Sequence, residues 1–197
     1  VKFLKQKQIP FVAVGKFPDD DVVQVDHDNV GACKELVTVL FAKGIQNIAY
    51  LGSNMDQMVN RCRYQGYEEA YRKGKRKLNQ DLVYTDLSSR AMVEKAVEEL
   101  KNSGVECILC QDDYICDEVV RKLARMGVRI PDQMKVASCH YSRILENYPI
   151  TITSLKFNIT ELGRRSCQVL LDMIHGKTVP DKTLLDYEII LKESTKG

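Results

Sequence analysis

CILCQDDYICDEVVRKLARMGVRIPDQMKVAS, residues 107–138, carries three signals in a row. Cys107-Ile108-Leu109-Cys110 is a short, continuous apolar run of the kind shown by a strand buried on both faces. Ile115, Val119, Val120 and Leu123 then follow a helical period that stops at Gly127. Lys135-Val136-Ala137-Ser138 reads as the next strand. Strand, helix and strand in such close succession call for a parallel sheet with helices on its faces.

The same alternation runs outward from this stretch. Phe11 to Val14, after Pro10 and closed by Gly15, predicts a buried strand. Asp28-Asn29 can cap a helix whose apolar positions Val30, Cys33, Leu36, Val37, Leu40 and Phe41 lead up to Gly44. Ile48 to Leu51 is a strand, Tyr67, Ala70 and Tyr71 mark a helix towards Gly74, and Leu82 to Tyr84 is a further strand. Met92, Val93, Ala96, Val97 and Leu100 give the helix before Cys107. In open sheets of this class a ligand lies beyond the carboxyl ends of the strands. The residues to examine are therefore Gly15-Lys16, Ser53-Asn54, Asp86-Leu87-Ser88, Gln111-Asp112-Asp113 and Cys139-His140-Tyr141.

Composition narrows the function classes. The chain has 197 residues, 28% of them charged, with a net charge of +2, which leaves no electrostatic footprint for nucleic acid. The one basic run, Arg72 to Lys77, lacks interleaved aromatics and reads as a solvated helix end. No apolar run approaches the ~18 residues that span a bilayer, and no signal peptide opens the chain, so no membrane partner is expected. Seven cysteines are present, an odd number that suits buried thiols in a reducing, cytoplasmic setting. Cys107 and Cys110 have knuckle spacing, but positions three apart in a strand face opposite ways. The histidines His27, His140 and His175 lack metal-ligand spacing, so no metal and no cofactor are expected. The common nucleotide, metalloprotease and hydrolase motifs are absent, which argues against an enzyme. Cys139 beside His140 is the one tempting nucleophile and base, yet neighbours in extended chain point apart. An α/β enzyme built on one of them is kept as an alternative.

Several motifs, in order, resemble the LacI/GalR family of bacterial transcription regulators. They are Ile9-Pro10-Phe11-Val12, Val25 to Asn29, Lys43 to Gly52, and Arg63-Tyr64-Gln65-Gly66-Tyr67. Gln111-Asp112, Gly127 to Asp132, Tyr148 to Leu155, Leu162-Gly163 and Lys192 to Thr195 continue the order. The resemblance implies a periplasmic-binding-protein-like α/β fold of two doubly wound parallel-sheet lobes, the N-terminal lobe incomplete. It implies a partial N-terminal lobe at 1–26 and 156–180, and a C-terminal lobe at 27–155 and 181–197. The function implied is effector binding and dimerisation: a small, sugar-like molecule alters DNA binding by a helix-turn-helix domain that this sequence does not contain. The partners implied are that effector, a second copy of the chain, and DNA through the missing domain. A solute-binding protein of a transporter, which shares the fold, is the alternative.

Carried over position by position, the resemblance makes Arg63 and Gln111 ligand contacts. Leu87 takes a position often held by an aromatic ring that stacks on a sugar. His140 stands where an aspartate is usual, and Gly15 where some members have a polar residue. His27, at a strand end, joins the ligand-binding set.

Overall fold

The computed structural model describes residues 1–18 and 21–196. In chain order its helices are α1 (Lys2–Gln6), α2 (Asn29–Ala42), α3 (Met58–Lys73), α4 (Arg90–Leu100), α5 (Asp113–Arg125) and α6 (Ile159–Ile174). The strands are β1 (Ala13–Val14), β2 (Gln24–His27), β3 (Ile48–Leu51), β4 (Val83–Tyr84), β5 (Cys107–Cys110), β6 (Lys135–Ser138), β7 (Thr153–Phe157), β8 (Lys182–Leu185) and β9 (Tyr187–Ile190). The chain divides into two units, residues 1–28 with 157–187, and residues 29–156 with 188–197. The expected lobe limits differ by a few residues. Residues 181–187 fall in the smaller unit, where β8 pairs in parallel with β2, Gln24 opposite Lys182.

The larger unit is built on a sheet of strand order β4-β3-β5-β6-β7-β9. Its central pairs are parallel, with Ile48 opposite Cys107 and Cys107 opposite Lys135, so the strands end level with one another. Alternation along each strand divides the side chains between two faces. Ala49, Leu51, Ile108, Cys110 and Val136 join Val93, Ala96 and Val97 of α4 and Ile115, Val119 and Leu123 of α5 in one apolar cluster. On the other face Tyr50 packs on Tyr67 of α3, ring centroids 5.2 Å apart, and the Tyr67 hydroxyl donates to the Ile48 carbonyl at 2.7 Å. Capping fixes where the helices begin. Ser89 accepts from the Met92 amide ahead of α4, and Asp112 accepts from the Ile115 amide ahead of α5. The basic run begins in the last turn of α3, where Arg72 and Lys73 complement the helix dipole, and Arg76 lies over the Phe41 ring at 4.3 Å.

The smaller unit has a parallel sheet of order β1-β2-β8. The expected four-residue buried strand at 11–14 is instead the two residues of β1, and Val14 is 63% exposed. Among the described residues β1 is the end strand of this sheet, with β2 as its neighbour. Of the residues in α6, Ser166 and Val169 are the buried ones. Among the described residues no helix is long and apolar enough to cross a membrane.

Candidate functional site

The carboxyl ends of β3, β5 and β6 gather most of the polar groups singled out above. Arg63 reaches there from α3. It is buried, and its Nη1 donates to the backbone carbonyl of Gln111 at 2.9 Å. Its Nε is buried with no hydrogen-bond partner. The nearby Tyr50 hydroxyl is in the same position, and burial pushes its ionisation well above the usual tyrosine range.

Gln111 is fully buried, and its side chain turns towards β3. Its Oε1 accepts from the Ser53 amide at 2.9 Å, and its Nε2 donates to the Ser53 hydroxyl at 3.2 Å. That inward turn depends on Gly52. A Cβ at this position would lie 2.5 Å from Gln111 Oε1 and 2.7 Å from the Tyr50 ring. Asn60 of α3 extends the cluster, donating to the Asn54 carbonyl at 2.7 Å. Leu87, expected at a stacking position, is instead packed into the apolar cluster on the α4 and α5 face. Its amide donates to the Gly52 carbonyl at 3.1 Å, so it still sits beside the strand ends.

β6 pairs with β5, Ser138 opposite Cys110, so the chain that follows emerges next to Gln111. There Cys139 and His140 part company. The Cys139 thiol is buried and lies 3.6 Å from the thiol of Cys33 on α2, whose ionisation burial pushes well up. His140 turns to α5, placing Nδ1 3.0 Å from Asp113 Oδ1. Burial opposes the charge on Asp113, but hydrogen bonds from Ser142 and His140 outweigh it and hold the carboxyl below the usual range. The thiol and the imidazole therefore do not form a nucleophile–base pair with each other.

In the smaller unit, Gly15 follows β1 at φ +96°, where glycine is favoured, and its amide donates to the Val25 carbonyl at 2.9 Å. His27 ends β2 with its ring 4.9 Å from that of Phe157. Burial lowers its pKa against the opposing effects of Asp26 and the Asn158 backbone. Among the described residues no group of three or more His, Cys, Asp or Glu side chains gathers to hold a metal.

Sequence reasoning brought Arg63 and Gln111 to the same place, and they touch. It missed the pairings: Ser53 with Gln111, Ser138 and Asp113 with His140, and Cys33 with Cys139. Asp113 was visible as part of a polar strand end, but its partner lies 27 residues away in sequence.

Comparison with known proteins agrees with the resemblance read from the motifs. A family profile described as periplasmic binding protein-like domain matches residues 37–195. The HTH-type transcriptional regulator CelR of Thermobifida fusca is 26% identical over 199 residues, covering 98% of this chain and 58% of that protein. A solved CelR–cellobiose complex superposes with a TM-score of 0.86 at 25% identity, over 98% of this chain and 61% of that one. The transcription regulator CcpA of Lactococcus lactis shares the fold, with a TM-score of 0.86 at 24% identity over 99% of this chain and 73% of that one. The chain thus spans a little over half the length of the curated relative.

Proposed function

Because the chain belongs to the periplasmic binding protein-like domain family, we propose that it is the effector-binding domain of a LacI-like transcription regulator. In this reading a small polar, sugar-like molecule binds at the carboxyl ends of the strands and biases the conformation of the whole regulator. Such coupling requires that the effector bind two conformations with different affinity. The observation that carries the reading is Arg63: a buried guanidinium tied on one arm to Gln111, with its Nε unpartnered, at the ligand end of a parallel sheet. A forked cation held in this way suits a diol or an anionic oxygen pair.

Arg63 and His140 are the proposed contacts of the larger unit, with the Gln111 carbonyl holding Arg63 and Asp113 holding His140, while Gln111 and Leu87 stand at the same strand ends. Gly15 and His27 are the candidate contacts of the smaller unit, since both stand at the carboxyl ends of its strands. The proposed activity is binding without turnover. The full regulator would act as a homodimer in the cytoplasm and reach DNA through a helix-turn-helix segment. Relatives named as transcription regulators favour this over a transport protein's solute receptor.

The test is thermal shift against neutral sugars, sugar phosphates, nucleobases and carboxylates. A bound effector raises the melting temperature by mass action. Arg63→Ala and His140→Ala should each abolish the shift. A hit whose affinity neither substitution changes would remove the site from where it is placed here.

A further inference from the structure

The basic run Arg72 to Lys77 has no part in the strand ends described above. Arg72 and Lys73 complement the dipole of α3, an effect that fades within the last helical turn. Arg76 and Lys77 lie three and four residues past Lys73, so the dipole does not account for them. The chain turns back to place them. Lys75 sits at φ +52°, in the left-handed region that residues other than glycine seldom adopt. The Arg76 amide then donates to the Tyr71 carbonyl at 2.9 Å, and the Arg76 guanidinium comes to lie over the Phe41 ring. Its Nη1 donates to Gln46 Oε1, and the side chain is half-buried rather than freely solvated.

These two cations line a cleft of about 270 Å³ at the amino ends of β3 and β4, the opposite end of the sheet from Arg63. Gln46 and Asn47 line it ahead of β3, and Asn79 ahead of β4. Among the described residues its charged lining side chains are Arg76 and Lys77. The acids nearby are engaged elsewhere or lie outside it. Glu106 accepts from the Gln46 and Asn47 amides at 2.6 and 2.8 Å, while Glu68 and Glu69 line an adjoining cleft, where Glu69 pairs with Lys34 at 3.2 Å. Donors, by contrast, are spare. A guanidinium has five N–H groups, and Arg76 uses one of them on Gln46. The Lys77 ammonium makes no ion pair with another described residue. Asn79 Oδ1 is taken by the Asp81 amide at 3.1 Å, which leaves the Asn79 amide nitrogen to donate.

We propose that this cleft is a second binding site, for a small phosphate-bearing molecule, with Arg76 gripping two oxygens as a fork and Lys77 a third as a point charge. Phosphate is the ligand that such a pair matches in both charge and geometry. No residue is shared with the proposed effector site, so the two readings stand or fall separately.

Amide proton–nitrogen spectra of the whole chain, titrated with inorganic pyrophosphate, locate the bound anion. The salt is held at about 0.1 M, where attraction between exposed charges is screened beyond about 10 Å. Saturable shifts are expected at Gln46, Asn47, Arg76, Lys77 and Asn79. Glucose 6-phosphate should move the same signals, and glucose and gluconate should not. By calorimetry, Arg76→Gln and Lys77→Gln should each weaken pyrophosphate roughly tenfold or more, as loss of a charged hydrogen bond does. Lys77 is exposed, so its variant separates lost binding from lost folding. Lys73→Gln removes the same charge outside the cleft and should change affinity by no more than about twofold. Absence of saturable shifts, or shifts confined to Ser53, Asn54 and Gln111, overturns the site. An equal loss in Lys73→Gln overturns it too, in favour of diffuse attraction by the basic run. Gluconate moving these signals as strongly as glucose 6-phosphate overturns the phosphate class.

Discussion

Arg63 Nη1 donates to the backbone carbonyl of Gln111 at 2.9 Å, joining α3 to the end of β5 across 48 residues of sequence. Both residues are buried, so removing the donor leaves a carbonyl that water does not easily reach. Arg63→Ala is therefore expected to lower stability by about 1–3 kcal/mol, the cost of one unsatisfied buried group. Arg63→Lys should lose less, since an ammonium still donates but lacks the planar fork. Urea unfolding with an unchanged slope and a shifted midpoint is the measurement. An unshifted midpoint in Arg63→Ala would show that the tie contributes nothing to the fold.

Cys33, Cys62, Cys107, Cys110, Cys116 and Cys139 are buried, whereas Cys167 on α6 is exposed. Burial also raises the ionisation of Cys33, Cys107 and Cys110, and the thiol is far less nucleophilic than the thiolate. Iodoacetamide on the native chain should therefore modify Cys167 alone, and all seven cysteines after denaturation. Intact-mass measurement of the adducts decides it. Rapid native labelling of Cys139 would reopen the nucleophile that the geometry closes.

The fold was legible because its signals are local and repeated. Apolar runs of strand length and helical periods ending at glycine are written within a few residues of where they act. β1 was misjudged for the opposite reason: whether Phe11 to Val14 is buried depends on what flanks it in the sheet, and periodicity does not report that. The site was half legible. Polar residues after strands located it, and Arg63 and Gln111 were brought together. Which side chains face a ligand was not readable, because Gln111 turns inward to Ser53 and Leu87 into the core through contacts tens of residues apart. Gly52 is the local clue to the first of these, since only a residue without a Cβ admits the Gln111 amide.

His27 gives a pH dependence whose sign follows from burial. Its folded pKa is lowered, chiefly by desolvation, so the folded state favours the neutral ring. As pH falls below about 6.5, the ordinary histidine value, the unfolded chain takes up the proton first and stability drops. The loss continues until the folded pKa is passed. Chemical denaturation at several pH values between about 5 and 7 should show a decline in the wild type that is shallower in His27→Gln. The carboxylate held low at Asp113 acts in a separate window, losing its contribution only below the ordinary aspartate range of about 4. Equal slopes in wild type and variant would show that His27 is not the group responsible.

Tyr50 offers a test of opposite direction to most core substitutions. Its ring is fully buried against Tyr64 and Tyr67, so its packing is that of a large apolar side chain. Its hydroxyl, however, is buried with no partner, as is Arg63 Nε. A hydroxyl in that state has lost its hydration and gained no hydrogen bond, which costs about 1–3 kcal/mol. Tyr50→Phe keeps the ring, deletes the hydroxyl and leaves no donor stranded. It is expected to raise stability by about 1 kcal/mol, read from the urea midpoint, where a Tyr→Phe change at a satisfied position would lower it by a similar amount. The partnered Tyr67, whose hydroxyl donates to the Ile48 carbonyl at 2.7 Å, is the internal control, and Tyr67→Phe should destabilise. If both variants lose stability alike, the Tyr50 hydroxyl has a partner in solution.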